Sequence, residues 1–176
     1  NCEKKKDELV KDLFVFSCFT GLSYSDMKGL KNSNIQDFFD GNRWIIVRRK
    51  KTATSSNVML LDIPKMIIEK YAGFAKDGKV FPVPSNTICN DSLKRISQLI
   101  DCLVEKKVTF HLARHTFATL FLSEGVPLES LSKMLGHKNI ATTQIYAKIL
   151  NEKVGKDMQK VSHKFKGMEQ SFVSQL

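Results

Sequence analysis

Residues 110–146 read FHLARHTFATLFLSEGVPLESLSKMLGHKNIATTQIY. Apolar residues recur through this stretch at helical spacing and predict helices over 112–123, 127–135 and 140–150. Pro127 is typical of a helix start and Gly136 of a helix end. The stretch is therefore predicted to form three consecutive helices joined by short turns.

The first of these helices carries two chemically active side chains. His111 and Arg114 are three residues apart and share one helix face, which we expect to meet solvent or a ligand. A guanidinium matches the geometry of phosphate oxygens, and an imidazole exchanges a proton near neutral pH. A second side of the same helix is an apolar stripe formed by Phe110, Ala113, Phe117 and Leu120.

Upstream, the pattern predicts a helix over 7–20 that ends at Gly21, followed by a short helix capped by Ser23 or Ser25. Three β-prone runs follow at 35–39, 43–49 and 57–62, separated by turn-forming residues. They predict a three-stranded antiparallel sheet.

Helical periodicity resumes after the sheet. Pro64 is expected at the first position of a helix with Ile67, Ile68, Tyr71 and Phe74 facing the core. Further helices are predicted over 91–103 and, with a basic character, over 152–165. The predicted fold class is mainly α with a small three-stranded antiparallel β-sheet, an α+β arrangement.

Composition narrows the function. The chain has 176 residues, enough for one domain, with 42% hydrophobic and 26% charged residues. Its 28 basic and 18 acidic side chains leave a net charge of +10, and the sequence pI is about 9.5. Such an excess favours a polyanionic partner, most commonly nucleic acid. No apolar run exceeds four residues, so no membrane partner is expected.

The cysteines predict neither a disulfide framework nor a zinc site. They are widely spaced and form no CxxC pair, which fits a reducing cytoplasm. They are Cys2, Cys18, Cys89 and Cys102. A histidine pair, His111 and His115, has zinc-like spacing, but the glutamate of HExxH is missing and Arg114 would repel a cation. We therefore expect no metal and no cofactor.

Four positions carry a family resemblance: His111 and Arg114 as HxxR, His137 after Gly136, and Tyr146 nine residues later. This order resembles the tyrosine recombinases, or phage integrases, which cut and rejoin DNA through a phosphotyrosine. The TGL of residues 20–22 and the Lys51-Thr52 pair of the hairpin also match family motifs. The resemblance spans nearly the whole chain and implies the catalytic-domain fold of that family.

The sequence departs from the family at Ser23, where an arginine normally follows TGL. A serine cannot neutralise the charge that develops on a phosphate in the transition state. If residues 43–51 form one strand, Arg49 and Lys51 point the same way, so Arg49 is the favoured substitute. Arg48 and Arg43 are weaker candidates, and a solvated charge run over 48–51 remains open. Integrases of conjugative transposons are a branch in which the first arginine is sometimes absent.

The resemblance implies the roles of the site residues. Tyr146 would attack the scissile phosphorus to give a 3′-phosphotyrosine and a free 5′-hydroxyl, without ATP or metal. His111 would act as base in cleavage and as acid in religation, and Lys51 would protonate the departing 5′ oxygen. Arg114 and Arg49 would hold non-bridging oxygens, and His137 would donate a hydrogen bond to one of them.

Several other polar residues are candidates for contacts with double-stranded DNA, although each is more often ordinary solvated surface. Contacts of this kind imply binding that weakens steeply as salt rises. They are Ser23, Arg48, Ser55, Lys94, Arg95, His115, Thr116 and Lys138. Tyr71 is interpreted as a half-buried helix tyrosine, and Tyr24 lies outside the motif order.

The resemblance also implies an organisation. Residues 1–166 are expected to form the catalytic domain, detached from N-terminal DNA-binding domains, and to be a monomer in isolation. In this family a tail such as residues 167–176 commonly docks on a neighbouring protomer of a tetramer, and a frayed terminus is the alternative. The expected location is the prokaryotic cytoplasm, on the nucleoid.

Two other functions stay open at this point. The segment 128–150 resembles a helix-turn-helix of a non-enzymatic regulator, with Thr142, Thr143, Gln144 and Lys148 facing the groove. That interpretation leaves His111, Arg114 and Lys51 without a role. A type IB topoisomerase shares the phosphotyrosine chemistry, but the short spacing between His137 and Tyr146 favours a recombinase.

Overall fold

The computed structural model describes residues 2–99, 108–147, 155 and 158–163. The named helices are α1 (Cys2–Thr20), α2 (Tyr24–Lys28), α3 (Asp62–Lys70), α4 (Asn86–Leu99), α5 (Phe110–Ser123), α6 (Leu128–Leu135) and α7 (Ala141–Ala147). The strands are β1 (Ile35–Asp37), β2 (Arg43–Arg48) and β3 (Ser55–Met59). A short 3₁₀ turn, Asn32–Asn34, leads into β1. Half of the predicted basic helix over 152–165 is described, at 155 and 158–163, and these residues are helical. The predicted tail over 167–176 lies wholly outside the described residues.

The strands form one antiparallel sheet in the order β1-β2-β3. Ile45, at the centre of β2, lies opposite Ile35 on β1 and Val58 on β3. Ile45 and Val58 are buried, because alternate residues of these strands face the helices. The predicted fold class, mainly α with a three-stranded antiparallel sheet, is confirmed.

Some predicted boundaries were wrong. The third strand occupies 55–59 instead of 57–62, and α3 begins at Asp62 with Leu61 as its N-cap. Pro64 therefore takes the third helical position, where its missing N–H still costs no intrahelical hydrogen bond. Phe74, expected in the core, lies beyond α3 and is 71% exposed.

Three other helices start earlier than predicted. Helix α1 begins at Cys2 instead of residue 7, α4 at Asn86 instead of residue 91, and α5 at Phe110 instead of residue 112. The predicted end of α4 at residue 103 lies outside the described residues. The N-cap of α2 is Ser23, whose side chain accepts a hydrogen bond from the Asp26 backbone N–H.

Two apolar clusters organise the fold. The first joins α1 to the sheet and to α3 and α4, with Phe16 packed edge-on against Phe81 at 4.8 Å between ring centroids. The second joins β3, α5, α6 and α7. Its buried members are Val58, Phe117, Ala118, Leu122, Leu131, Leu135 and Tyr146.

Two glycines allow side chains from other segments to pack directly against the backbone. Gly21 ends α1 at a φ of +66°, and a Cβ there would lie 2.6 Å from Cδ1 of Phe117. Gly136 ends α6 at a φ of +59°, and a Cβ there would lie 2.6 Å from Cδ of Arg49. Both positions favour glycine for its backbone conformation and for space.

None of the described helices combines the length and the apolar character needed to cross a membrane.

Candidate active site

Arg114 lies at the centre of the candidate site. Contrary to the expectation of an open face, its side chain is buried, with 6% exposure. Its Nη1 donates to the carbonyl of Gly21, and its Nη2 donates to the carbonyl of Leu135 and, at 3.1 Å, to Nε2 of His137. The guanidinium thus joins the end of α1, the end of α6 and the Gly136-His137 turn.

Arg49 reaches the same carbonyl from the sheet side. Its Nη1 donates to the Leu135 oxygen at 3.0 Å, and its Nε donates to Oδ2 of Asp26 at 3.2 Å. Asp26 also accepts from Ser23 Oγ at 2.6 Å and from the Lys50 backbone N–H at 3.0 Å. Two guanidinium groups therefore meet at one backbone oxygen, and Asp26 anchors one of them.

The local charge balance is positive. Arg49, Arg114 and Asp26 are all buried, and together they carry one net positive charge. Burial and the neighbouring Arg49 lower the pKa of Arg114 to about 10, so it stays charged at neutral pH. Burial raises the pKa of Asp26, but hydrogen bonds from Ser23, Lys50 and Arg49 outweigh this and hold the pKa below its usual value. A buried excess of one cation suits a singly charged phosphodiester.

His137 is held between Arg114 and Thr143. Arginine only donates, so Nε2 of His137 accepts from it, and Nδ1 carries the proton toward Thr143 Oγ1 at 2.8 Å. Burial, followed by the charges of Arg114 and Arg49, lowers the pKa of His137 to about 4. The expected donor thus serves as an acceptor in this arrangement. The threonine hydroxyl can donate or accept, so His137 can also adopt the tautomer that donates from Nε2, provided that the Arg114 N–H turns away from that nitrogen.

The remaining imidazoles lie beside the tyrosine. His111 and His115 are joined at 2.8 Å between their Nε2 atoms, and the His115 ring packs edge-on against Tyr146 at 5.3 Å. Tyr146 is 4% exposed as part of the second apolar cluster. Burial raises the pKa of its phenol, and the Arg114 charge opposes that rise.

An open cleft of about 360 Å³ borders His111 and Arg114. Its walls come from α2, α4 and the start of α5. The other lining residues are Ser23, Tyr24, Ser25, Asn86, Asn90, Thr109 and Phe110. Ser23 thus borders the site, although its hydroxyl is bonded to Asp26.

The hairpin between β2 and β3 corrects one expectation. Strand β2 ends at Arg48, so Arg49 and Lys51 do not share a strand face: Arg49 is buried, whereas Lys51 is exposed in the turn. Arg48 is exposed and donates to the Ala53 carbonyl at 2.8 Å. Ser55 opens β3 instead of lying in the loop, and its exposed hydroxyl donates to Asn57.

The other candidate DNA contacts are scattered. Lys94 on α4 and Lys138 after α6 are exposed. Arg95 is paired with Asp7 at 2.6 Å, which links α4 to α1. Thr116 is half-buried and donates to the Leu112 carbonyl at 3.0 Å. The structure therefore gives Arg95 a role in joining α4 to α1 and bonds Thr116 within its own helix, which the sequence pattern did not indicate.

Sequence reasoning missed two contributors to the site. The pattern places Asp26 only in the first turn of α2, although its position three residues after the capping serine is a signal for a local hydrogen bond. The helix-turn-helix alternative assigns Thr143 to a DNA groove. Thr143 is fully buried and bonded to His137, so it is not available to a groove.

Among the described residues, no group of three or more His, Cys, Asp or Glu side chains is arranged to hold a metal ion. Tyr71, interpreted as a core tyrosine, donates to Asp12 at 2.9 Å, and Tyr24 donates to the Pro84 carbonyl at 2.8 Å. Neither of these hydrogen bonds involves Arg49, Arg114 or His137.

The sequence pattern of the phage integrase family matches residues 1–153. This chain belongs to the phage integrase family. The tyrosine recombinase XerA of Saccharolobus solfataricus is 32% identical to it over 150 residues, which are 85% of this chain and 48% of that protein. The XerA of Thermococcus onnurineus is 30% identical over 166 residues, 89% of this chain and 56% of that protein. The chain thus spans about half the length of these curated relatives.

Solved structures show the same fold. The crystal structure of XerA recombinase matches with a TM-score of 0.65 at 20% identity, covering 87% of this chain and 62% of that one. XerH, solved as a post-cleavage complex with palindromic difH substrate, gives 0.67 at 20% identity, over 90% and 51%. A Tn1549 transposon integrase bound to circular intermediate DNA gives 0.65 at 19% identity, over 90% and 63%. The family resemblance that rests on the HxxR, GH and Tyr motifs is confirmed.

Proposed function

We propose that this chain is the catalytic domain of a site-specific DNA recombinase that cleaves and rejoins DNA through a 3′-phosphotyrosine. The observation that carries the proposal is the meeting of Arg49 and Arg114 at the Leu135 carbonyl, with His137 bonded to the same cluster. Cations converging on one buried point suit a single backbone phosphate.

The proposed chemistry assigns one role to each site residue. The Tyr146 oxygen forms a bond to phosphorus, and the bond from phosphorus to the 5′ oxygen breaks. The phenol proton passes to His111, and Lys51 gives a proton to the departing 5′ oxygen. The ester energy is kept in the phosphotyrosine, so religation needs only the reverse steps and neither ATP nor metal.

Arg49 takes the part of the arginine that Ser23 replaces. It is buried, anchored by Asp26 and directed at the carbonyl that Arg114 also binds. Its two described hydrogen bonds engage two of the five N–H groups of a guanidinium, so donors remain for non-bridging oxygens. Arg114 supplies the second guanidinium. His137 donates a hydrogen bond to a non-bridging oxygen once its proton has moved from Nδ1 to Nε2.

The partner is double-stranded DNA, bound through the cleft and the basic surface. Exposed Arg48, Ser55, Lys94 and Lys138 are the strongest candidates for backbone contacts. The net charge of +10 supports binding that is highly sensitive to salt. We extend the proposal to residues 1–166 as the catalytic domain, a tetrameric synapse joined by the 167–176 tail, and a cytoplasmic location on the nucleoid.

The test is covalent capture. The chain is incubated with duplexes of randomised sequence that carry a nick beside each cleavage position, so that the short 5′-hydroxyl strand is lost after cleavage. A protein–DNA band that survives denaturation is expected for the wild-type chain and is expected to vanish in Tyr146→Phe.

The matched control is Tyr71→Phe, which removes a buried hydroxyl outside the site and keeps the ring. It should retain the covalent band, with circular dichroism showing that all three proteins are folded. DNA binding without a band on any duplex, or a band that persists in Tyr146→Phe, would contradict the proposal.

A further inference from the structure

Two histidines on α5 form a direct hydrogen-bonded pair. His111 and His115 are one helical turn apart, and their Nε2 atoms lie 2.8 Å apart. The ring planes are nearly perpendicular, at 88°, with centroids 4.3 Å apart. A contact at this distance between two imidazole nitrogens requires one N–H donor and one lone pair.

The pair connects the cleft with the tyrosine helix. His111 is exposed and lines the cleft beside Arg114. His115 is half-buried behind it and contacts Tyr146 on α7 with its ring edge. His115 therefore touches both the residue assigned as base and the residue assigned as nucleophile.

Such a pair takes up protons as a unit. The first proton is favoured, because a cationic N–H bonded to a neutral imidazole nitrogen is a charge-assisted hydrogen bond. The second proton is opposed by like charge and removes the acceptor. The charges on the described residues around the pair act in the same sense: Arg114 on α5 is cationic, and Tyr146 on α7 is neutral at ordinary pH.

We propose that His115 is a positioning residue for DNA cleavage, which holds His111 in a shared-proton pair and fixes Tyr146 by ring packing. The proposal rests on the proposed function, in which His111 is the base. Burial, together with His111 and Arg114, lowers the pKa of His115, which keeps this member of the pair the neutral acceptor. The proton taken from the phenol enters at the other ring nitrogen of His111, and the imidazolium so formed donates its Nε2–H to Nε2 of His115.

One test needs no DNA. The chain contains only four histidines, so nitrogen-15 labelling of their rings gives a simple NMR spectrum across a pH titration. His115 should take up its proton below the ordinary range, and His111→Gln should displace the titration of His115, because His111 is one cause of its lowered pKa. His163→Gln removes an exposed histidine and should leave the titration of His115 unchanged.

A second test uses the covalent-capture assay over a range of pH. His115→Phe keeps a ring against Tyr146 but removes the acceptor nitrogen, which destabilises the protonated base. The low-pH limb of its profile should move to lower pH by about half a unit or more, and the maximal rate should fall about tenfold. His115→Gln keeps an acceptor for the His111 N–H but loses the ring that packs on Tyr146, so it should recover part of the position of the limb but not the maximal rate.

The outcomes distinguish a failure of the His115 proposal from a failure of the proposed recombinase function. A His115 titration that His111→Gln leaves unchanged, or wild-type pH profiles in both His115 variants, would overturn the role of His115 while the covalent band still supports the recombinase. Absence of the band from the wild-type chain would contradict the recombinase, and the NMR titration would still decide the shared proton.

Discussion

Arg114 and Tyr146 are buried almost equally, at 6% and 4% exposure, but the forces that hold them differ. Arg114 is tied by directional hydrogen bonds to two backbone carbonyls and to His137. Tyr146 is held by packing within the second apolar cluster and against His115. Hydrogen bonds are directional, whereas apolar packing is not, so we expect the groups proposed to bind phosphate to be the more rigid half of the site.

The neighbours of the two residues reinforce this contrast. The described part of α7, Ala141–Ala147, packs against α5 and α6. Arg114 and Arg49 instead bond to backbone carbonyls at the ends of α1 and α6. Under the proposed function, Tyr146 is expected to adjust to DNA while Arg49 and Arg114 keep their positions.

The largest effect is expected from breaking the rigid half. Arg114→Lys keeps a positive charge but loses the planar fork that bridges the Gly21 and Leu135 carbonyls. Covalent-capture rates should fall about 10³-fold, because a transition-state contact and its geometry are both lost. Rates are measured with DNA at saturating concentration.

Arg43→Lys is the matched control, since Arg43 is an exposed arginine paired with Asp37 on the sheet edge. It should cleave at the wild-type rate. A fall of less than tenfold in Arg114→Lys would show that the buried guanidinium is mainly structural.

A smaller effect is expected at Arg49. Arg49→Ala removes one of two cations from the cluster, and cleavage should fall about 10²-fold while DNA affinity falls less than tenfold. Filter binding and covalent capture on the same duplex separate the two quantities. Arg48→Ala, one residue away and exposed, should affect binding more than cleavage. Equal rates in Arg49→Ala and wild type would remove Arg49 from the site.

The smallest effect is expected in the pH dependence of the free energy of unfolding. His137 is neutral when folded, with a pKa of about 4, whereas an unfolded histidine takes a proton near pH 6.5. Protonation therefore favours the unfolded chain as pH falls, and stability is lost through that window. From about pH 7 to about pH 5, the wild type should lose on the order of 1 kcal/mol more unfolding free energy than His137→Gln.

Urea denaturation at several pH values measures this difference. His163→Gln, at an exposed position, should keep the wild-type dependence. Equal slopes in wild type and His137→Gln would mean that His137 is accessible to protons and that the cluster is looser than its hydrogen bonds indicate.

Much of this arrangement follows from the sequence. Periodicity locates the helices of the 110–146 stretch and the three strands, because apolar spacing reflects burial directly. Motif order identifies His111, Arg114, His137 and Tyr146. A serine cap at Ser23 or Ser25 and the helix end at Gly136 are also predicted from local chemistry, and the structure has its cap at Ser23 and its helix end at Gly136.

The remaining features depend on contacts between distant segments. Strand alternation favours Arg49, yet β2 ends at Arg48, and the burial of Arg49 comes from Asp26 and the Leu135 carbonyl. Phe74 continues the apolar spacing of α3 but lies past the end of that helix. The spacing of residues within α3 therefore could not predict the position of Phe74. Backbone carbonyls carry no sequence signal, so a site built around one cannot be read from side chains alone.

The central claim is that Arg49 and Arg114 converge on one DNA phosphate. A crystal structure of the Tyr146→Phe chain bound to an intact duplex selected by covalent capture tests it most directly. We predict one scissile phosphate with non-bridging oxygens within hydrogen-bond distance of both guanidinium groups, and the aromatic ring at position 146 adjacent to its phosphorus. The claim would be contradicted by a duplex that contacts Arg48 and Lys51 while Arg49 and Arg114 remain bonded to the Leu135 carbonyl, far from any phosphate.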